Sequence, residues 1–134
     1  VLLAAGYRPD RRTLFIWEGV SYYLTAEAVD AVLAFIRNHS PLQSVLGFDY
    51  LTEPLESVNA AEPFRFWIQT GAIREFLDSR GFTMMEQLDG NAMEARFLTL
   101  PDGSLAEKSL SRFCLVYARL TGSAACLTTT GSAP

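Results

Sequence analysis

Two short runs that are apolar on both faces, TLFIWE at residues 13–18 and SVLGFDY at 44–50, stand on either side of one amphipathic stretch, and this arrangement restricts the fold more than any other feature. A run of that kind reads as a strand covered on both sides, the usual condition of a strand inside a parallel sheet. Between the runs, Val29, Val32, Leu33 and Ile36 recur at helical spacing. Thr25 is placed to cap that helix and Glu27 to sit in its first turn, which predicts a helix from about Ala26 to about Asn38. Strand, helix and strand with short connections make a βαβ unit, whose crossover is expected to be right-handed.

The rest of the chain extends this unit. Pro54 and Pro63 predict an irregular excursion over residues 51–67, at the edge of the sheet where α/β proteins keep their ligands. A second helix is expected from about Thr70 to Arg80, stopped by Gly81, and then a strand at 82–88. Asn91 is a candidate cap for a short helix through AMEARFL, and after the turn at 101–104 the segment SRFCLVYARL (111–120) alternates as a last strand. With no long helix before it, that strand is expected to pair antiparallel with 82–88. The opening VLLAAGY, without an initiator methionine, reads as the last turn of a helix closed by Gly6, as in a chain entered in mid-fold. Residues 1–120 are thus expected to form one partial domain, and the small, polar residues 121–134 a disordered tail.

Composition narrows the function. With 11 basic against 15 acidic residues and a net charge of -4, the chain lacks the electrostatic footprint of a nucleic-acid binder. No apolar run approaches the roughly 20 residues that span a bilayer, and no basic leader opens the chain, so a soluble, cytoplasmic protein is expected without a membrane partner. Cys114 and Cys126 lack the spacing of zinc ligands, and His39 follows the first helix as a cation near its carboxyl end. No metal site and no histidine-based triad is expected.

The order β, α, β, α, β, short α, β resembles the second half of a class I S-adenosylmethionine-dependent methyltransferase: a Rossmann-like α/β sheet whose parallel strands end in an antiparallel pair. The local sequence is similar to one branch of that class. TLFIWEGVSYYLTAEAV, with Glu18, Gly19, Val20, Tyr23, Leu24 and Thr25, resembles the leucine carboxyl methyltransferase family, including its bacterial O-methyltransferases. VLGFDY (45–50), AEPFRFWI (61–68), FLDSRGF (76–82), EARFL (94–98) and the final SRFCLVYARL follow in the family's order.

That resemblance implies S-adenosylmethionine as cofactor, with Glu18 contacting it. A carboxylate at the carboxyl end of a strand suits a molecule bearing a sulfonium and an ammonium, and Gly19 lets the backbone turn away sharply. Read from the residues alone, Glu18 is also compatible with a strand end in solvent. Tyr22 and Tyr23 are candidates for presenting phenol rings to a methyl acceptor, or else for packing the strand-to-helix exit. Asp49 either faces the same crevice or caps the turn that follows it. Phe64, Phe66 and Trp67 either wall an acceptor pocket or anchor the next helix, and Arg65 among them is suited to an acceptor's carboxylate or to solvent.

One feature of the family is missing: none of the nine glycines forms a G-x-G, so the glycine-rich turn that cradles the cofactor is not in this sequence. Three readings follow. The chain is the C-terminal portion of a methyltransferase, inactive alone; or a non-catalytic oligomerisation or interaction module derived from that fold; or a half-enzyme completed by another chain. In each, the 13–18 strand lies at an uncovered edge and is expected to pair with a second copy or with a complementing N-terminal half.

Overall fold

The computed structural model describes residues 2–56 and 62–122. Its elements run β1 (Leu14–Trp17), a 3-10 turn (Ser21–Tyr23), α1 (Ala26–His39), β2 (Val45–Leu51), α2 (Ile73–Asp78), β3 (Phe82–Leu88), α3 (Gly90–Met93) continued by a wider π turn (Glu94–Leu98), and β4 (Phe113–Leu120). The strands form one sheet in the order β1-β2-β4-β3. β1 and β2 are parallel, and β4 runs antiparallel to both its neighbours, so the last strand is inserted between β2 and β3.

α1 forms where its sequence pattern places it. Thr25 accepts a hydrogen bond from the Ala28 amide, and Val29, Leu33 and Ile36 are buried. They meet Leu46, Phe48 and Tyr50 of β2, Val116 and Ala118 of β4, and Ile73 and Leu77 of α2 in one core. Because strand side chains alternate, the opposite face of the sheet carries Leu14, Ile16, Val45, Gly47, Leu115 and Tyr117. That face is open: Leu14 is 59% exposed, Ile16 72% and Tyr117 41%. The run read as apolar on both faces is therefore an edge strand, its inner residues Phe15 and Trp17 packed against the core and its outer ones in solvent.

Two local expectations are corrected. The second helix begins at Ile73 rather than Thr70, because Gly71 adopts φ +85 and breaks the helical path before it, and it ends at Asp78. The cap of α3 is Asp89, whose carboxylate accepts the Ala92 amide at 2.8 Å, so Asn91 lies inside the helix. The chain's opening is closed as its sequence predicts: Gly6 takes φ +95, its amide donates to Leu3 O and the Tyr7 amide donates to Leu2 O, the hydrogen-bond pattern of a glycine helix cap. Gly81 closes α2 at φ +85, as its position predicts. Cys126 and most of the expected tail lie outside the described residues.

Candidate functional site

The site is built where β1 and β2 end. Their register pairs Leu14 with Val45 and Trp17 with Phe48, and one step further along the same register Glu18 stands beside Asp49. Both side chains belong to the open face, since they follow Ile16 and Gly47 in the alternation. Glu18 is exposed and Asp49 half-buried.

After Glu18 the chain turns at Gly19, φ +71, a left-handed conformation that glycine adopts without steric cost. The Gly19 amide donates to Asp49 Oδ2 at 2.8 Å, and Ser21 Oγ donates to the Asp49 carbonyl. The acid at the end of β2 thus holds the turn leaving β1, not the turn that follows its own strand. Its second oxygen, Oδ1, is buried and has no hydrogen-bond partner among the described residues. Burial pushes the Asp49 carboxyl above the ordinary carboxylate value, against the Gly19 amide, which favours the ionised form; the Glu18 charge adds to the upward push.

The tyrosines after the turn separate. Tyr22 is only 9% exposed and lies edge-on to Phe64 and Phe113, each at 5.2 Å between ring centroids. Burial raises its phenol above the usual value, with the charges of Asp49 and Glu18 adding to that shift. Its carbonyl accepts the amides of both Arg65 and Phe66, tying the excursion after β2 to the exit from β1. Tyr23, 38% exposed, lines a recess of about 350 Å3 with Glu62, Pro63 and Arg65. The aromatic run divides likewise: Phe66 is buried in the core, Phe64 packs on Tyr22 and Tyr23, and Trp67 is exposed.

The structure thus gathers Glu18, Asp49 and Tyr22 at the carboxyl ends of two parallel strands and sets Tyr23 and Arg65 beside them. The link from Asp49 to Gly19 escaped the sequence reading. Its signal was present in the two acid-terminated runs, which match when LFIWE is laid on VLGFD in parallel register.

This fold is that of the class I methyltransferases. The structure is similar to that of 1,6-didemethyltoxoflavin-N1-methyltransferase from Burkholderia thailandensis, solved with 1,6-didemethyltoxoflavin and S-adenosylhomocysteine, at 14% identity and TM-score 0.54 over 81% of this chain and 43% of that one. Magnesium protoporphyrin IX methyltransferase from Synechocystis PCC 6803, solved with S-adenosylhomocysteine, is similar at 13% identity and TM-score 0.49 over 87% of this chain and 48% of that one. The chain spans less than half the length of either. In sequence, the leucine carboxyl methyltransferase family profile matches residues 1–37, which contain β1, the Glu18–Gly19 turn and most of α1, and over that segment it bears out the family resemblance. No curated protein matches the chain.

Proposed function

We propose that the chain is the C-terminal portion of an S-adenosylmethionine-dependent O-methyltransferase of the cytoplasm, acting on a carboxylate or another small-molecule acceptor, and that it is inactive until the remaining part of the sheet joins it. The observation that carries this reading is the side-by-side placement of Glu18 and Asp49 at the carboxyl ends of β1 and β2, with one carboxylate oxygen of Asp49 left unpartnered among the described residues. Neither acid is ion-paired with a lysine or arginine among the described residues. Such an edge suits a cationic ligand, and the sulfonium and ammonium of S-adenosylmethionine are cations of the kind it would attract.

When bound, that cofactor supplies an electrophilic methyl group. The contribution of this chain is placement. Glu18 faces the cation, while Tyr23 and Arg65 line a recess in which an acceptor's carboxylate meets a guanidinium. A carboxylate acceptor is already deprotonated at neutral pH, so the transfer calls for proximity and alignment rather than a general base. The free edge of β1 is where the remaining strands join, supplied by a second copy or by an N-terminal half.

Titration of the isotope-labelled chain with millimolar S-adenosylhomocysteine tests the cofactor reading. The amides of residues 17–23 are expected to shift, and Glu18→Ala to weaken the binding they report. Shifts absent from this segment at saturating ligand would instead favour an interaction module without catalysis.

A further inference from the structure

We propose that Asp49 is a positioning residue for Glu18: by gripping the Gly19 amide it fixes the turn from which the Glu18 carboxylate projects, and so sets where a cationic ligand is met. This inference rests on the reading of Glu18 given above, but its geometry is independent of that reading.

β1 has four residues and sits at the edge of the sheet, so among the described residues its carboxyl end is held by strand pairing from the β2 side alone. Immediately beyond it, a glycine at φ +71 has no side chain to restrict its conformation. A turn of this kind needs an external constraint if the residue before it is to stand in one place. Among the described residues, two hydrogen bonds run from the turn to one residue of β2: Gly19 N–H to Asp49 Oδ2 at 2.8 Å, and Ser21 Oγ to the Asp49 carbonyl. Ser21 is fully buried, so the second bond lies inside the protein and anchors the far side of the same turn.

An amide bonded to a carboxylate is a stronger link than a neutral one. The arrangement also keeps a carboxylate half-buried with its other oxygen unpartnered among the described residues, which costs stability. An asparagine would satisfy the Gly19 amide without burying charge. Holding Glu18 by a group that is itself acidic is compatible with a cationic ligand, because the grip places no positive charge beside it.

The test uses the full chain with four variants: Asp49→Ala, Asp49→Asn, Glu18→Ala and the Glu18→Ala/Asp49→Ala double variant. Two readouts are taken, hydrogen exchange of the Gly19 amide without ligand and S-adenosylhomocysteine affinity from amide shifts. Asp49→Ala is expected to lower Gly19 protection, and ligand affinity with it, on the order of tenfold, while the amides of β2 and β4 stay protected. Asp49→Asn is expected to retain the protection and most of the affinity. In the Glu18→Ala background, Asp49→Ala is expected to cost no further affinity, because Asp49 acts through Glu18.

Full protection of Gly19 in Asp49→Ala overturns the assignment, as does a further loss of affinity in the double variant. If Glu18→Ala leaves affinity unchanged, the reading of Glu18 has failed. The Gly19 amide then decides alone: lost protection sustains Asp49 as the residue that fixes the turn, and retained protection removes it. If β2 and β4 lose protection in Asp49→Ala, Asp49→Asn takes its place: with Gly19 protected in that variant the assignment stands, and with it unprotected the assignment falls.

Discussion

Asp49 links the stability of the protein to its site through one proton. Burial raises its carboxyl above the ordinary value, so over the interval between that value and the raised one the folded chain holds a proton that the unfolded chain has released. Stability therefore falls as pH rises through this interval and levels off above it. Asp49→Asn removes the titrating group while keeping an oxygen for Gly19. Urea midpoints measured from acid to neutral pH should show the variant gaining on the parent chain across the interval, with a constant difference at higher pH. Parallel curves would mean that Asp49 titrates alike in both states. At this scale the sequence shows which groups are present but not what they touch. Both terminal acids are visible in it, whereas the bond from Asp49 to Gly19 depends on the register of two strands thirty-one residues apart. Tyr22 and Tyr23 look equivalent on paper, and the 3-10 turn buries the first while exposing the second.

Elements with strong local signals were legible. Thr25 and the spacing of Val29, Leu33 and Ile36 define α1 almost to the residue, because cap and apolar stripe agree. The helix after β3 was legible only in outline, since its cap and exact start are set by contacts that the local pattern does not show. Gly90 opens α3 directly against the main chain of residues 110–111: a Cβ there would lie 3.0 Å from the Leu110 carbonyl oxygen and 3.1 Å from Ser111 Cα. Main chain cannot rotate away as a side chain can. Gly90→Ala should thus destabilise by about 1–3 kcal/mol through overpacking, although alanine is the better helix former. Gly19→Ala provides the contrast. Its added Cβ would meet only the Tyr22 hydroxyl at 3.9 Å, so its cost comes from the left-handed backbone and should be roughly 1–2 kcal/mol. Chemical denaturation of both variants distinguishes these causes when combined with Leu110→Gly, which loosens the facing loop without touching Gly19. Relief of the Gly90→Ala penalty alone is expected; equal relief of both would remove the steric account.

For the whole molecule, the order β1-β2-β4-β3 leaves a sheet finished on one side and open on the other. On the finished side β3 is twisted by an irregularity between Met84 and Glu86, and charged Glu86 and Arg96 pair across its surface at 2.6 Å, features that discourage further strand pairing. β1 has no such protection. It presents a backbone edge unpaired among the described residues, Leu14 and Ile16 on one face, and on the other an apolar groove of about 430 Å3 between Phe15, Trp17, Val32 and Phe35. The apolar run 13–17 reads as an inner strand, and its expected place at an edge came from the resemblance to one part of a methyltransferase sheet; which face would be bare followed only from the register. If the edge pairs with a second copy, light scattering should show dimers whose thermal midpoint rises with protein concentration. Ile16→Lys places a charge on the bare face at a residue already 72% exposed, so within the monomer it should change stability by no more than about 0.5 kcal/mol. In a self-associated chain it should abolish the concentration dependence while preserving the folded monomer. A monomer at every concentration, indifferent to Ile16→Lys, would exclude self-pairing and leave a complementing N-terminal half as the candidate for that edge.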